Sequence, residues 1–440
     1  MTGQGSLWFG STDFYPETIN QSLRFNGDGD LRKSNFSTPT NNQIWTWSAW
    51  IKLGAIDSGL RVLFQADTDS VDVLQTNANK LNLGINGTTG NTTVLYRDPS
   101  AWYHVLFNYN GSNAYLYVNN RLDLTLSPSG NSKINNSSYT HFIGQNGSNG
   151  RYWSGYMAEV NFIDGQALDP SSFGETKNGV WIPKNISGLT YGNNGFRLTF
   201  ADSSSLGDDT SSNTNDFTVA GNLASTDVVT DSPTNNHSTF NRLYVDADST
   251  PTYSEGNLRM DATSSSWFNA TSTFIQSSGK WYAEFYVSNV GTGTFISIGT
   301  EKSSSTYLGS DSNAYGYHST SGNIYNNGSA TAYGDTFTTG DVIGIALDLD
   351  GGNVYFYKNG TIQNSGTAGA TGLTGEWFVG CSTSGTSGEV RVNFGQDATF
   401  AGTKTSGSDD ASDASGRGIF YETPPSGHLA LCSANLQNVE

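Results

Sequence analysis

Three aspartates close together in sequence are the residues of this chain best suited to bind a metal ion. Asp67, Asp69 and Asp72 follow a short apolar run that ends near Phe64. Calcium takes several oxygen ligands at flexible geometry, so a loop rich in carboxylates can supply part of its coordination shell. The spacing does not match an EF-hand loop, however, and aspartate is common in any turn. Two hypotheses therefore stand for this segment, a calcium site and an ordinary polar turn.

A glycosidase needs two carboxylates that flank one glycosidic bond, and on a strand their spacing must place both on one face. No glutamate of this chain is followed two positions later by an aspartate. Glu159 lies in a predicted strand over residues 155–164 but stands alone there, and we interpret it as a surface carboxylate. The sequence also lacks a Gly-X-Ser-X-Gly motif and a phosphate-binding loop. We therefore expect a protein that is not an enzyme.

The histidines and cysteines favour structural roles. The histidines, none of which pairs with another at a metal-ligand spacing, are His104, His141, His237, His318 and His428. His104 lies between Tyr103 and Val105 within a predicted strand, where a structural role is expected. The two cysteines, Cys381 and Cys432, are too few for a disulfide framework. The apolar surroundings of Cys381 in sequence predict a buried and inert thiol.

Aromatic residues beside polar loops are the remaining candidates for a binding site. Sugar sites set aromatic faces against the apolar faces of the sugar and amides or carboxylates against its hydroxyls. The segments with this pattern are Trp8-Phe9, Tyr152-Trp153 and Tyr315-Gly-Tyr317. Each of them could equally belong to the core of a β-sandwich. No ligand-binding residue is therefore assigned from the sequence.

The composition indicates a chain built of strands and tight turns. Of its 440 residues, 52 are glycine and only 3 are methionine, and 12% are aromatic. Aromatic residues favour strands, and glycine with asparagine and serine favours turns. This aromatic content is too high for a disordered chain. We predict an all-β globular protein.

The charge and hydropathy patterns exclude two classes of partner. The formal net charge is −18, and no cluster of lysines and arginines opposes it locally, so we expect no binding to nucleic acid. The longest apolar runs, such as Val342 to Leu347, are far shorter than the roughly 20 residues that span a bilayer, so we expect no membrane insertion. The first ten residues show no secretion signal. We expect synthesis in a host cytoplasm.

Period-two alternation marks the strands that would carry these side chains. Within residues 44–53, Trp45, Trp47, Ala49 and Ile51 share one face, which is typical of a half-buried strand. Residues 102–123 predict three strands joined by turns at Asn110-Gly111 and Asn119-Asn120, since Asn and Gly accept positive φ.

Composition shifts divide the chain into four segments. Residues 1–200 predict one antiparallel β-sandwich and residues 240–400 a second. Residues 201–239, rich in Ser, Asp and Asn, predict an extended polar connection, and residues 401–440 predict an extended C-terminal tail.

Two groups of segments resemble known domain families. Residues 102–123 followed by 152–169 resemble laminin-G-like or concanavalin-like jelly-roll domains. Residues 340–360, flanked by Lys280-Trp-Tyr-Ala-Glu-Phe285 and Val392-Asn-Phe-Gly395, resemble the central signature of SPRY domains. The two domain types in series, with the segments 231–236 and 424–436, resemble virion proteins of bacteriophages.

The virion resemblance implies a setting and a set of partners. It implies a structural or adhesion protein on the virion surface, in a tail fibre, spike or head fibre, and it implies this location better than it implies a ligand. We expect host surface glycan as the ligand. The partners it implies are other virion proteins, host cell-surface polysaccharide and further copies of the chain in a trimer. One alternative is a purely structural capsid decoration or tail subunit that contacts only virion proteins. The other alternative is a glycan depolymerase, and the missing carboxylate pair argues against it.

Calcium binding at Asp67, Asp69 and Asp72 would raise thermal stability, because a ligand that binds only the native state stabilises it. A site filled a hundredfold over its Kd adds about 2.7 kcal/mol to the free energy of unfolding. We expect the melting temperature to be higher in millimolar calcium than in EDTA, and Asp69→Ala to abolish the difference. Identical melting curves in the two buffers would rule the site out.

Overall fold

The computed structural model describes residues 14–68, 72–148, 150–244, 250–300, 306–405 and 411–436. Strands dominate these residues, and no helix among them has the length and hydropathy of a bilayer span. The helical elements there are single turns: 3₁₀ helices at Pro170–Ser172, Ser225–Asp227, Glu255–Asn257 and Asn364–Gly366, and an α-helix at Ser433–Leu436. The structure confirms an all-β chain with antiparallel sandwiches in series.

The first sandwich pairs two large sheets. Its strands are β1 Ser22–Asn26, β2 Gly29–Lys33, β3 Ile44–Leu53, β4 Arg61–Ala66, β5 Asp72–Asn77, β6 Lys80–Ile85, β7 Thr88–Asn91, β8 Trp102–Asn110, β9 Ala114–Val118, β10 Arg121–Leu126, β11 His141–Ile143, β12 Ser154–Asp164, β13 Gly174–Lys177, β14 Val180–Pro183, β15 Phe196–Leu198, β16 Thr218–Gly221 and β17 Val228–Val229. Sheet A has the order β10-β9-β8-β3-β12-β1-β17, with β15 on β12, and sheet B has the order β16-β2-β11-β4-β5-β6-β7. The hairpin β13-β14 lies outside both sheets.

The second sandwich has the same plan. Its strands are β18 Thr252–Ser254, β19 Arg259–Asp261, β20 Trp267–Thr271, β21 Lys280–Asn289, β22 Gly293–Gly299, β23 Ala314–His318, β24 Asn323–Asn326, β25 Ser329–Ala332, β26 Val342–Asp348, β27 Asn353–Lys358, β28 Thr361–Ile362, β29 Ala370–Thr371, β30 Phe378–Ser384, β31 Glu389–Asn393, β32 Ala411–Ser412, β33 Ile419–Phe420 and β34 Leu429–Ala430. Sheet C has the order β18-β19-β31-β21-β26-β27-β28, with β29 on β27 and β34 on β21. Sheet D has the order β20-β30-β22-β23-β24-β25.

The predicted alternation decides which face of β3 enters the core. Trp45, Trp47, Ala49 and Ile51 are all buried in one hydrophobic cluster between sheets A and B. The neighbouring strand β8 places Phe107 opposite Trp47 in register, and their ring centroids lie 5.5 Å apart. Large aromatic side chains thus fill the space between the sheets, which is the main source of stability in such a core.

The predicted asparagine turns recur in both sandwiches. Asn119 and Asn120 join β9 to β10 with φ of 46° and 68°, and Asn359 joins β27 to β28 with φ of 46°. Positive φ at such positions gives the turn twist that matches the twist of the flanking strands. The two-residue turn predicted at Asn110-Gly111 is shifted by one position, because Asn110 N donates to the Asn113 carbonyl at 3.1 Å and Gly111 and Ser112 lie between them.

The polar segments between and after the sandwiches are folded parts of them. Within the connection 201–239, β16 pairs with β2 on sheet B and β17 pairs with β1 on sheet A. Within the tail 401–440, β34 pairs in parallel with β21, and the carboxylate of Glu284 accepts the backbone N–H of Tyr421 at 2.9 Å and of Glu422 at 2.7 Å. Both segments are polar, as predicted, but neither is a free tether.

One cross-strand row on sheet A faces the second sandwich. Arg24 lies opposite Tyr156, Tyr156 opposite Lys52, and Lys52 opposite Trp102 across the strands β1, β12, β3 and β8. The side chains of Arg24 and Lys52 are fully buried, so their charges must be compensated by ion pairs and hydrogen bonds. Residues from outside the first sandwich supply that compensation.

Arg24 joins three parts of the chain. Its guanidinium donates to Asp397 Oδ2 at 2.7 Å in the second sandwich and to Asp227 Oδ1 at 3.1 Å in the connection. Glu255 lies 3.7 Å from the Arg24 Nε atom. Opposing charges on all sides keep the pKa of Arg24 raised even though it is buried.

Replacing Arg24 by methionine should destabilise the protein strongly, because Asp227 and Asp397 would remain buried without a counter-charge. We expect a loss of about 3–5 kcal/mol in the free energy of unfolding, measured by urea denaturation. The matched control is Arg121→Met, whose side chain is 57% exposed and pairs with Asp123. That change should cost no more than about 1 kcal/mol. Equal effects of the two substitutions would show that the buried cluster does not hold the sandwiches together.

Candidate functional site

A cleft lies between the two sandwiches and has a volume of ≈ 670 Å³. It is lined by Leu95, Arg97, Asp98, Pro99, Ser100, Tyr103, Asn241, Leu243 and Thr273. The first six come from the loop before β8 and from the start of that strand, and the last three come from the chain at the edge of the second sandwich. Clefts of this size at domain boundaries are common binding sites for small ligands.

The loop that forms the first wall is held by hydrogen bonds within the loop and to the connection between the sandwiches. The backbone N–H of Ser100 donates to Asp98 Oδ1 at 2.8 Å, which closes a tight turn. The carbonyl of Ser100 accepts from Asn236 Nδ2 at 2.7 Å, and Trp102 Nε1 donates to Asp231 Oδ1 at 3.0 Å. The connection between the sandwiches therefore sets the position of this wall.

The second wall is held by two backbone hydrogen bonds, one of them to β20 of sheet D. Asn241 N donates to the Thr271 carbonyl at 2.8 Å, and Thr273 N donates to the Thr239 carbonyl at 2.9 Å. The Asn241 side-chain oxygen accepts from Leu243 N at 3.0 Å. This bond occupies the oxygen and orients the carboxamide beside the cleft.

The lining combines apolar, aromatic and polar groups. Leu95 is 46% exposed and Leu243 is 58% exposed, so apolar surface is available on both walls. The Tyr103 ring packs edge-on against Tyr96, with centroids 5.4 Å apart, and burial raises its pKa to about 12. Tyr103 is therefore a neutral hydrogen-bonding group at physiological pH. Arg97 and Asp98, both exposed, give the cleft charges of opposite sign.

The structure brings two of the three predicted calcium ligands to one hairpin, β4–β5. Asp67 follows β4 with a φ of 65°, and its carboxylate forms an ion pair with Lys133 at 2.6 Å. Asp72 begins β5, is buried, and accepts from Ser132 Oγ at 2.8 Å. Asp69 lies outside the described residues.

Within the described part of the chain, no three acidic, histidine or cysteine side chains form a metal-binding group. Calcium would have to displace Lys133 from Asp67, and the site remains a prediction.

Glu159 is not the free surface carboxylate that the sequence indicates. It occupies a β-bulge in β12, where its φ is 50°, and both of its oxygens accept from Arg197, at 2.9 and 3.1 Å. The side chain is only 14% exposed. The bulge turns this carboxylate toward β15, which carries Arg197, and a strand-alternation argument does not foresee that.

His104 contacts a serine, as the histidine of a catalytic dyad does. The proton of its ring, however, is on the nitrogen that faces the serine. Its Nε2 atom lies 2.8 Å from Ser48 Oγ, and Trp181 Nε1 lies 3.1 Å from its Nδ1. The indole N–H can only donate, so Nδ1 accepts and the proton of the neutral ring is on Nε2. A serine nucleophile needs the reverse, an unprotonated Nε2. The contacts of His104 thus fix β13–β14 against sheet A.

The aromatic segments singled out in the sequence are mostly core. Trp153 and Tyr317 are buried in the two main hydrophobic clusters, and Tyr315 packs against the second of them. Tyr152 is partly exposed, and Trp8-Phe9 lies outside the described residues. Cys381 is buried and free, as predicted, and burial raises the pKa of its thiol.

Sequence reasoning missed the cleft itself. Its residues come from positions 95–103, 241–243 and 273, and no local motif connects these three segments. It also missed an aromatic stack on the outer face of sheet D, where Phe295 lies between Tyr307 at 4.5 Å and His318 at 4.3 Å. The available signal was the alternation of β22 and β23, which places Phe295 opposite His318.

The architecture defines a protein made of two antiparallel β-sandwiches with a cleft between them. Residues 25–172 match the family model described as the concanavalin A-like lectin/glucanases superfamily, and residues 280–397 match the SPRY domain. The chain therefore carries a concanavalin A-like domain followed by a SPRY domain.

Individual relatives share only a part of the chain. A Ran-binding proteins 9/10 homolog of Drosophila melanogaster is 34% identical over 126 residues, which are 28% of this chain and 13% of that protein. Ran-binding protein 9 of Homo sapiens is 33% identical over 95 residues, 21% of this chain and 13% of that protein. The chain thus spans a small fraction of the length of these relatives.

Two solved structures match parts of the chain at low identity and low TM-score. The SPRY domain of human HERC1 is 21% identical, with a TM-score of 0.28, and covers 31% of this chain and 87% of its own. A putative carbohydrate binding protein from Bacteroides ovatus is 18% identical, with a TM-score of 0.33, and covers 47% of this chain and 61% of its own.

The buried histidines should make the protein sensitive to mild acid. Burial lowers the pKa of His104 to about 3 and of His141 and His237 to about 4, from 6.5. The unfolded chain then binds more protons, so stability falls as the pH drops from about 6.5 toward 4, by about 2 kcal/mol per histidine between pH 7 and 5. Urea unfolding at the two pH values measures this loss.

The variant His104→Gln isolates the contribution of one histidine to the loss of stability in acid. It should lose less stability than the wild type between pH 7 and pH 5, by about 2 kcal/mol, because all other titrating groups are unchanged. The same pH dependence in variant and wild type would show that His104 is already protonated at pH 5 in the folded state.

Proposed function

We propose that this chain is a non-enzymatic binding protein displayed on the surface of a bacteriophage particle, and that the interdomain cleft binds a host surface glycan. The observation that carries the proposal is the cleft of ≈ 670 Å³ that both sandwiches build. Its volume is large enough for a short oligosaccharide segment. The concanavalin A-like domain that forms one wall supports a lectin-type role.

The chemistry of the lining supports a sugar as the ligand. Leu95, Leu243 and the Tyr103 ring offer apolar contacts for the C–H faces of a sugar, and Asp98, Asn241 and Arg97 offer groups for its hydroxyls. Because Arg97 stands in an acidic protein, a neutral or weakly anionic sugar fits better than a strongly anionic one.

Two features favour binding over catalysis. Glu159, the carboxylate that stands alone in β12, accepts hydrogen bonds from Arg197 on both oxygens. His104 holds its proton on the nitrogen that faces Ser48, so this contact does not generate a nucleophile. A depolymerase would require carboxylates that these residues do not supply.

Protein binding by the second sandwich is a second candidate function. The observation that favours it is the SPRY match at residues 280–397, together with relatives named for binding Ran. On a virion this activity would correspond to the purely structural role, in which the sandwich contacts other virion proteins. The two functions are separable, because the cleft also requires the loop before β8.

The proposal predicts that the protein is on the outside of purified particles and that substitutions in the cleft weaken glycan binding. An antibody to the chain should label intact particles and reduce adsorption to host cells. On a glycan array, Leu243→Ala and Arg97→Gln should weaken binding about tenfold each, since each removes contact energy of about 1.4 kcal/mol.

The matched controls are Leu122→Ala, at a side chain 47% exposed on β10, and Arg151→Gln, at an exposed arginine away from the cleft. Both should bind as the wild type does. A second outcome is that the antibody labels the particles but does not change their adsorption, and that the array shows no binding. This outcome would support the structural role instead. Absence from purified particles would contradict both roles, and release of reducing sugar from host polysaccharide would indicate a depolymerase.

A further inference from the structure

An amine, a carboxamide and a carboxylate meet at the boundary between the sandwiches. Lys52 Nζ donates to Asn236 Oδ1 at 2.8 Å and to Asp231 Oδ2 at 2.7 Å. We propose that Lys52 and Asn236 form an intramolecular isopeptide bond, with Asp231 as the group that transfers the protons. This inference is independent of the glycan proposal.

The three groups are held in place from several elements. Lys52 lies on β3, whereas Asp231 and Asn236 lie in the connection, 179 and 184 positions away. Asp231 Oδ1 accepts from Trp102 Nε1 at 3.0 Å and from His237 N at 3.2 Å, which leaves Oδ2 directed at the amine. The nitrogen of the Asn236 carboxamide donates to the Ser100 carbonyl at 2.7 Å, so both ends of this amide are fixed.

Three acceptors surround the Lys52 amine, because it also donates to the His237 carbonyl at 2.8 Å. Burial of the site is what favours the neutral amine that the reaction requires. The side chains of Lys52 and Asp231 are 0% exposed, and the Tyr156 ring lies 5.7 Å from the amine. Burial lowers the pKa of Lys52, although the charge of Asp231 opposes this. An ammonium and a carboxylate in such a site carry a large desolvation cost. Conversion to neutral groups removes that cost.

The bond changes balance without an external reactant. The Lys52 ammonium first transfers a proton to Asp231 Oδ2 along their hydrogen bond. The lone pair of Nζ then attacks Cγ of Asn236, forming the new C–N bond, and the bond from Cγ to Nδ2 breaks. The protonated carboxyl group of Asp231 delivers its proton to the leaving nitrogen, Nδ2 of Asn236, and takes a proton from Nζ of Lys52. The products are a secondary amide, one molecule of ammonia and a protonated Asp231.

The bond would tie the first sandwich covalently to the connection. Lys52 is next to Tyr156 in the row that faces the second sandwich, and Asn236 accepts Ser433 N at its carbonyl at 2.8 Å. A crosslink between positions 52 and 236 closes a long loop of the chain, which restricts the unfolded state. The wall of the cleft that contains Ser100 would be held in position by the same bond.

Intact mass spectrometry of the purified full chain tests the proposal. We expect a mass lower than that of the sequence by one ammonia, about 17 Da. A tryptic digest should contain one branched peptide that joins residues 52 and 236, with no cleavage after Lys52. Lys52→Arg and Asn236→Ala should each have the full mass of their sequences, because each lacks one reacting group.

The controls distinguish this bond from other losses of ammonia. Asparagine followed by glycine, as at Asn327-Gly328, can lose ammonia by cyclisation, and such a loss would persist in Lys52→Arg. The proposal would be overturned if Lys52→Arg still lacked one ammonia. It would also be overturned if the wild-type chain had the full mass of its sequence. Asn236 is only partly buried, so Asn236→Ala gives a folded control if the arginine variant does not fold. The branched peptide from the wild type decides the question even without either variant.

Discussion

Two cations buried on the outer face of one sheet set the arrangement of the whole molecule. Arg24 and Lys52 point away from the core of the first sandwich, yet neither is exposed to solvent. A buried charge is tolerated only where opposite charges and hydrogen bonds surround it. Asp231 and Asp227 in the connection and Asp397 in the second sandwich meet that requirement. Arg24 thus joins the first sandwich to the second through Asp397, and Lys52 joins it to the connection through Asp231.

The cleft is a consequence of that docking. Asp231 contacts Lys52 and also Trp102, the residue that ends the loop carrying Asp98 and Ser100. Asn236 contacts Lys52 and the Ser100 carbonyl. The two connection residues that contact Lys52 thus also position one wall of the candidate binding site. Binding loops on a rigid scaffold of this kind can vary in sequence without loss of the fold.

Outer sheet faces are covered in both sandwiches, and this coverage shapes the functional interpretation. The hairpin β13–β14 brings Trp181 onto His104, and the C-terminal segment packs Phe420 onto Tyr282 with centroids 5.0 Å apart. These contacts leave little of either sheet face free at His104 and at Tyr282. The cleft lies between the sandwiches, next to the loop that precedes β8.

The sequence determined the class of fold and many local details. Alternation placed Trp45 and Trp47 in the core, and Asn119-Asn120 specified a hairpin, because both signals depend on residues adjacent in the chain. The roles of Glu159 and of the polar segments 201–239 and 401–440 were decided only by the tertiary structure. Lys52 and Asp231 are 179 positions apart, and composition gives no sign that a polar segment will supply the counter-charge for a distant strand. Long-range pairing of buried charges, together with the docking it enforces, is what creates the candidate site.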